Sequence, residues 1–218
     1  SEYILFLDAD IVLSENWIIN VLSSINKNSE IIGIMGNLKP LLDDNKISVL
    51  DQYLFSKYRG SGVVHLDDPL NYKSFVFSNT IIKRAVLNKI GVFDETLNSY
   101  GGEDTELAIR ISQKFSQGLR KEENALALHK LNKTLKQYLE NMFEYGKYNF
   151  YKIINKHPDY KQYLGGNMIN SFWGYLCFNP IIRFHCNLIV KLVGHPLLVK
   201  FLVLDAFVRG ARQSEKNI

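Results

Sequence analysis

Apolar residues fall into strand-like runs and helix-like spacings that alternate along the first part of the chain. Tyr3 to Leu7 is an apolar run that stops at two aspartates, which is typical of a buried parallel strand that feeds a loop at its carboxyl end. Trp17 to Ile25 carries apolar residues at helical spacing, and Ile31 to Met35 is again strand-like. This order of elements predicts an α/β sheet, whose ligands gather at the carboxyl ends of its strands.

The middle of the chain gives less uniform signals. Residues 41–72 mix helix and turn chemistry, and we predict a plain surface connection there, with a loop over a site as the alternative. Ser74 to Phe77 is strand-like, and Thr80 to Ile90 has the apolar spacing of a helix that Gly91 ends. The pattern therefore predicts a further strand and helix.

The alternation ends at His129. Gly101-Gly102 permits a tight turn before a helix, and Ala125 to Leu128 is a strand-like run that leads into His129. Residues 134–157 then have a long helical pattern, and residues 167–209 are mostly apolar but interrupted by basic residues, Gly and Pro. We therefore predict an α/β part followed by a helical tail.

Composition places the chain in the soluble globular class, with 46% hydrophobic and 22% charged residues. Residues 1–129 hold 13 Lys+Arg against 17 Asp+Glu, which gives a net charge of −4. Residues 130–218 hold 13 against 5, which gives a net charge of +8. A basic half indicates an anionic partner or a solvated basic face. Because no zinc, helix-turn-helix or RNA-recognition signature accompanies it, we expect no nucleic acid.

The tail predicts contact with a membrane surface. No uninterrupted run approaches the roughly 20 apolar residues that a transmembrane helix needs. Apolar segments with basic punctuation instead lie in the membrane interface, here anchored by Trp173 and Tyr175. Packing of the helices on the α/β part is the alternative. Cys177 and Cys186 have no metal-ligand spacing, so we interpret them as small buried side chains in a reducing compartment.

Asp8-Ala9-Asp10 is the first candidate for chemistry. Two carboxylates that flank one small residue can face the same hard cation while that cation bridges two phosphates. An aspartate that caps the following helix is the alternative. His129 also follows a predicted strand, which makes it either a third metal ligand at the same edge or a structural, hydrogen-bonded histidine.

Glu103 and Asp104 are the second candidate, at the start of a predicted helix. Exposed N–H groups at a helix start favour an ionised carboxylate, and a general base must be ionised before it takes a proton. A helix cap is the structural alternative. It does not explain Gly101-Gly102, which indicate a close approach of the backbone to another group.

These motifs together resemble those of the family-2 glycosyltransferases with the GT-A fold. The resemblance runs from Tyr3 to His129 and rests on the order and spacing of Phe6-Leu7-Asp8-Ala9-Asp10, Phe77-Ser78-Asn79-Thr80, Ile90-Gly91-Val92-Phe93-Asp94-Glu95, Tyr100-Gly101-Gly102-Glu103-Asp104-Thr105-Glu106-Leu107 and His129. It implies transfer of a sugar from a nucleotide-diphosphate donor to an acceptor hydroxyl, with inversion.

The resemblance also implies roles for individual residues. Asp8 would lie near the donor ribose and the metal, Asp10 would hold Mn²⁺ or Mg²⁺ against the diphosphate, and His129 would complete the metal site. Asp104 would be the general base. Glu103 would contact the acceptor, and Asn79 would lie near the donor, although an ordinary strand-end asparagine explains Asn79 equally.

The implied fold class is α/β, a partial GT-A (nucleotide-diphospho-sugar transferase) sheet with a helical appendage. Residues 1–130 would form the second half of the GT-A domain, and residues 131–218 a basic, membrane-associated tail. The half that binds the nucleotide base is expected upstream of Tyr3. Expected partners are the nucleotide-sugar donor, a glycan or lipid-linked acceptor and an anionic membrane surface, and the expected location is cytoplasmic, peripheral on the inner face of the membrane.

Two other functions fit parts of the pattern. Haloacid-dehalogenase-type phosphatases also begin with an apolar strand and Asp-x-Asp, in which Asp8 would be the nucleophile. Those phosphatases need a downstream Lys and a further acidic metal motif. This chain carries Gly-Gly-Glu-Asp in the corresponding part of its sequence. A non-catalytic membrane- or carbohydrate-binding module explains the tail but not the paired acidic motifs.

Overall fold

A computed structural model describes residues 1–41, 47–59, 70, 72–130 and 132–215. The chain divides into two compact units that alternate along the sequence. The sheet unit comprises Ser1–Ile47, Phe55–Asp94 and Asp104–Asn132, and the helical unit comprises Ser48–Leu54, Glu95–Glu103 and Lys133–Ile218. The division into domains after residue 130 stays a prediction. Of the predicted connection 41–72, residues 42–46, 60–69 and 71 lie outside the described residues.

The described strands of the sheet unit form one five-stranded mixed sheet in the order β1-β4-β3-β5-β2. In chain order the strands are β1 (Tyr3–Leu7), β2 (Ile11–Leu13), β3 (Gly33–Pro40), β4 (Asn79–Lys83) and β5 (Leu119–His129). Its helices are α1 (Trp17–Lys27), α3 (Arg84–Ile90) and α4 (Glu103–Lys114), the last of which begins at the unit boundary. This combination of a sheet and helices confirms the α/β class predicted from the sequence.

β1 is a strand as predicted, but its neighbour is antiparallel and the strand is only partly buried. It pairs with β4 so that Tyr3 lies opposite Lys83 and Leu7 opposite Asn79. Leu5 and Leu7 keep 40% and 42% of their surface exposed. An apolar run indicates burial on both faces without fixing the direction of the neighbouring strand, so the prediction of a buried parallel strand was wrong on both points.

The helix predicted from Thr80 is also partly wrong, because β4 occupies Asn79–Lys83 and α3 begins only at Arg84. Thr80, Ile81 and Ile82 are β-branched, and such side chains fit a pleated strand better than a helix. β4 is flanked by β1 and β3. The apolar spacing that predicted one helix runs through both β4 and α3. Pairing of β4 with β1 and β3 therefore outweighed that spacing in residues 79–83.

A buried ion pair fastens α4 to the loop that follows α3. The Glu106 side chain is 3% exposed, and Arg110 donates to both of its carboxylate oxygens at 2.7–2.9 Å. The same guanidinium donates to the carbonyls of Ile90 and Val92 at 2.6 and 2.7 Å. Glu106 is thus a structural residue of the acidic motif, and the i, i+4 spacing of Glu106 and Arg110 was its sequence signal.

The helical unit is built from helices and short turns. They are α2 (Val49–Leu54), α5 (Leu135–Glu144), a π-helical turn (Tyr145–Asn149), α6 (Phe150–Lys156), α7 (Phe172–Cys177), α8 (Pro180–Val193) and α9 (Pro196–Glu215). Its core includes Phe150, Ile154, Phe207 and Val208. The helical pattern predicted for residues 134–157 is confirmed. None of the helices in the described ranges is long and apolar enough to cross a membrane.

Candidate functional site

The first acidic motif forms the turn between β1 and β2. The backbone N–H of Asp8 donates to the carbonyl of Ser78 at 3.1 Å, which extends the β1–β4 pairing by one residue. The N–H of Ile11 then donates to the carbonyl of Asp8 at 3.2 Å, so the chain reverses over residues 8–11. Asp8 is exposed and the Asp10 side chain is 39% exposed. Both carboxylates therefore lie on the turn at the carboxyl end of β1.

Pairing of β2 with β5 brings His129 to this turn. Ile11 lies opposite His129, and the N–H of Lys130 donates to the carbonyl of Asp10 at 2.9 Å. Nε2 of His129 lies 3.2 Å from Oδ1 of Asp10, and the imidazole is mostly buried, with the ring of Phe55 at 6.4 Å. The structure thus brings together two residues that are far apart in sequence and that the motif analysis assigned to one metal site.

The Asp10–His129 pair has the donor types and the spacing of two ligands of one cation. Ligand atoms that bind one ion at right angles, each about 2.1 Å away, are themselves about 3 Å apart. The 3.2 Å between Oδ1 and Nε2 is close to that value, and it is also the distance of a direct polar contact between the two side chains. No group of three or more His, Cys, Asp and Glu side chains within the described ranges could hold a metal ion. A cation held by this pair would need water and substrate phosphate as its other ligands, as is usual for Mg²⁺ and nucleotides.

The second acidic motif reaches the same end of the sheet. Asp104 lies in the first turn of α4, and its Oδ2 accepts a hydrogen bond from the N–H of Phe77 at 3.2 Å. Phe77 is next to Ser78, the residue that pairs with Asp8. The segment that leads into β4 therefore touches the Asp-x-Asp turn through one residue and the Asp104 carboxylate through its neighbour. Two motifs about 90 residues apart converge there.

Asn79 lies at the start of β4 as a fully buried residue, with 0% of its surface exposed. Its Oδ1 accepts from Nε1 of Trp17 at 2.9 Å, and its Nδ2 donates to the carbonyl of Asn37 at 3.5 Å. Such contacts are expected of a structural strand-end asparagine, which here joins α1 and β3 to β4. The donor-binding role of Asn79 stays a prediction.

Gly101 and Gly102 make the turn before Glu103 in the helical unit. Both have positive φ, at 77° and 96°. A Cβ on Gly102 would lie 2.7 Å from Cε2 of Tyr145 and 2.6 Å from Cδ1 of Ile153, whereas one on Gly101 would meet Tyr145 only at an ordinary 3.5 Å. The close approach that the two glycines predicted is therefore an approach to the protein's own helices.

Tyr145 and Asn149 hold this turn, and sequence analysis assigned neither of them a role. Nδ2 of Asn149 donates to the carbonyls of Ser99 and Gly101, both at 2.8 Å. Both residues belong to the π-helical turn Tyr145–Asn149, and such turns occur frequently at functional sites. Apolar periodicity does not distinguish a π turn from an α-helix, so the sequence carried no signal for them.

The Glu103 carboxylate has one buried oxygen and interacts electrostatically with Tyr145. Its Oε2 is inaccessible to solvent and has no hydrogen-bond partner among the described residues. Burial raises the pKa of Tyr145, and the Glu103 carboxylate raises that pKa further, so the phenol stays protonated. A buried acceptor without a donor is rare in native proteins.

The two glycines give a matched pair of stability predictions. Gly101→Ala is expected to lower the free energy of unfolding by about 1–2 kcal/mol, because only the positive φ is unfavourable. Gly102→Ala is expected to lower it by about 1–3 kcal/mol more, because its Cβ also overlaps Tyr145 and Ile153. Chemical denaturation followed by circular dichroism measures both. Equal losses would mean that the contact with Tyr145 and Ile153 does not constrain the turn.

Comparison with known proteins adds little to this geometry. No protein-family profile matches the chain, and no curated protein matches it in sequence. Among solved structures, the chain is similar to S. aureus TarS residues 1–349, at 12% identity and a TM-score of 0.45, over 100% of this chain and 68% of that one. Because a similarity of that size carries no information on activity, function is inferred from the residues of the site alone.

Proposed function

We propose that this protein is a metal-dependent glycosyltransferase that moves a sugar, with inversion, from a nucleotide-diphosphate donor to an acceptor hydroxyl. One observation carries the proposal. Phe77 and Ser78, adjacent on the segment before β4, bond to the Asp104 carboxylate and to the Asp8 backbone, while Oδ1 of Asp10 lies 3.2 Å from His129. A carboxylate suited to general base catalysis and a ligand pair suited to a diphosphate-bound cation thus occupy one end of the sheet.

Asp104 is the general base of the proposed reaction. The acceptor oxygen attacks the anomeric carbon, its proton passes to the Asp104 carboxylate, and the bond from that carbon to the diphosphate oxygen breaks. Attack opposite the leaving group inverts the anomeric carbon. The N–H of Phe77 orients the carboxylate by its bond to Oδ2. A positioned base of this kind contributes roughly 10²–10⁴-fold to the rate.

Asp10 and His129 are the proposed protein ligands of Mn²⁺ or Mg²⁺. When bound, the cation offsets the negative charge that builds on the departing nucleoside diphosphate. Imidazole is a better ligand for transition metals than for Mg²⁺, so the mixed pair favours Mn²⁺. Asp8, one residue before Ala9 on the same turn, is proposed to face the donor ribose.

Glu103 is the proposed contact to the acceptor. Its buried Oε2 has no donor among the described residues, and an acceptor hydroxyl could supply one. The proposed acceptors are growing polysaccharides or lipid-linked glycans. The proposed setting is the cytoplasmic side of a membrane, with the protein peripheral on its inner face. Cys177 and Cys186 are free thiols of intermediate exposure, so the prediction that both are buried was only partly right.

Turnover of nucleotide sugars tests the proposal. The full chain is incubated with UDP-, GDP-, ADP- and CDP-sugars and Mn²⁺, and release of the nucleoside diphosphate is measured with and without a glycan acceptor. We expect release from one donor class, abolished by EDTA and restored by Mn²⁺, with a product of inverted anomeric configuration by NMR.

Two results would contradict the proposed function. Release that persists in EDTA would exclude the cation role of Asp10 and His129. Release of inorganic phosphate from phosphate monoesters, blocked by fluoroberyllate bound at Asp8, would instead identify a phosphatase with Asp8 as its nucleophile.

A further inference from the structure

We infer that the exposed sides of α7 and α8 form a membrane-binding face, which binds the headgroup region of an anionic lipid bilayer. This face is defined by the exposed apolar residues Phe172, Trp173, Tyr175, Leu176, Ile181, Phe184, Leu188 and Leu192. The inference rests on the peripheral membrane setting of the proposed function and names the surface that would bind. It does not depend on the transferase activity, since a chain that binds vesicles without transferring sugar would leave it intact.

The helix α8 has a stripe of apolar residues on its exposed side. Ile181, Phe184, Leu188 and Leu192 recur every three or four residues and therefore share one side of the helix. They are 71%, 60%, 46% and 86% exposed. A helix of a globular protein normally turns such a stripe toward the core. Here the stripe faces away from the helical unit.

The inward side of α8 carries an ion pair to a buried carboxylate. Nε of Arg183 lies 2.5 Å from Oδ2 of Asp205, a residue of α9 that is 1% exposed, and Nη2 of Arg183 donates to Oδ1 at 3.1 Å. Arg209 also donates to that carboxylate, at 3.1 Å. Val190 is the buried apolar residue on this side of α8. The ion pair fixes which side of α8 faces the unit, so the outward stripe is a consequence of packing.

The helix α7 extends the membrane-binding face with aromatic side chains. Phe172, Trp173 and Tyr175 are 75%, 64% and 57% exposed, and the rings of Phe172 and Trp173 meet edge to face at 5.6 Å. Leu176 is 50% exposed. Trp and Tyr are enriched at membrane–water interfaces, because an apolar ring and a polar N–H or O–H suit both sides of that boundary.

Charge identifies the bilayer as the occupant. Residues 160–204 contain no Asp or Glu, and they contain three lysines, of which Lys161 and Lys191 are exposed and Lys200 is half-buried. Arg183 is paired with Asp205 on the inward side of α8 and is not counted among these charges. Phospholipid headgroups of negative charge attract such a surface, at about 1 kcal/mol for each Lys or Arg close to it. A two-fold dimer through the same face would bring two cationic surfaces together, with no carboxylate from these residues to pair with Lys191.

The two tryptophans make the inference directly measurable. Trp17 is 1% exposed in the sheet unit, whereas Trp173 lies on the membrane-binding face. We expect vesicles of phosphatidylcholine and phosphatidylglycerol to shift the emission of the full chain to shorter wavelength, and brominated lipid to quench it. Trp173→Phe should remove both effects. Phosphatidylcholine alone should bind at least about tenfold more weakly.

Variants separate the apolar and the charge contributions. Phe184→Ser and Leu192→Ser are each expected to weaken vesicle binding about tenfold, and Lys191→Gln about fivefold. Ile19→Ser is the matched control, because Ile19 is a 65% exposed apolar residue of α1. Raising the salt from about 0.1 M to about 1 M, where the Debye length is about 3 Å, should release much of the protein.

Three outcomes would overturn the inference. The first is failure to bind anionic vesicles at low salt by a chain whose circular dichroism shows it folded. The second is equal binding to neutral and anionic vesicles. The third is a concentration-dependent dimer in sedimentation that Leu192→Ser dissociates and that vesicles leave unchanged, which would assign the face to a second copy of the chain.

Discussion

Asp104→Asn is expected to lower the rate of sugar transfer about 10²–10⁴-fold, with the affinity for the donor little changed. The asparagine amide has nearly the shape of the carboxylate, and its oxygen can still accept the hydrogen bond from Phe77. It cannot take the proton of the acceptor hydroxyl. Steady-state kinetics should therefore show a lower kcat with an unchanged KM for the donor.

The control for this variant is Asp159→Asn, which removes the same charge from an exposed aspartate of the helical unit. Its rate should match that of the wild type. An Asp104→Asn protein that keeps wild-type turnover would show that Asp104 is not the base. If circular dichroism shows that Asp104→Asn is not folded, Asp104→Glu is tested in its place. This variant keeps a carboxylate base and should retain part of the wild-type rate.

Asp10→Ala is expected to weaken Mn²⁺-dependent donor binding by about 100-fold or more. The reason is that the carboxylate 3.2 Å from His129 is one of the two proposed protein ligands, and even loss of an outer-shell partner typically costs 10–100-fold in metal affinity. Isothermal titration of a nucleoside diphosphate, with and without Mn²⁺, measures the change.

Glu15→Gln is the matched control for Asp10→Ala, because Glu15 is an exposed carboxylate close to the same turn in sequence. Its affinity should stay at the wild-type value in Mn²⁺. If Asp10→Ala binds donor as tightly as the wild type both with and without Mn²⁺, Asp10 does not hold the cation. His129→Ala should reproduce the loss if the two side chains share one ion.

Much of the sheet unit could be predicted from the sequence. The apolar run before Asp8, the helical spacing after Trp17 and the double glycine before Glu103 are local signals, and each produced the expected type of element. The meeting of Asp10 with His129 was also expected, because both follow strand-like runs. Sequence reasoning succeeded where one element, or one end of a strand, decides the outcome.

The remaining features depend on contacts between distant segments. The antiparallel pairing of β1 with β4 is not encoded within Tyr3–Leu7, and pairing on both sides made Thr80–Lys83 a strand instead of a helix. The grouping of Glu95–Glu103 with the helical unit depends on partners such as Asn149. The inward Arg183–Asp205 pair likewise decides which side of α8 faces outward. Periodicity shows that a helix has two faces but not which of them is covered.

Paramagnetic broadening of backbone amide signals by Mn²⁺ tests most directly whether Asp10 and His129 form one metal site. Broadening falls with the inverse sixth power of distance from the ion. With Mn²⁺ and a nucleoside diphosphate, we expect the amides of Ile11, His129, Lys130 and Ser78 to broaden before those of Ile82 and Lys83, which lie at the other end of the β1–β4 pairing. Asp10→Ala should abolish this order. Broadening that is uniform, or strongest near Lys83, would contradict a metal site at the Asp-x-Asp turn.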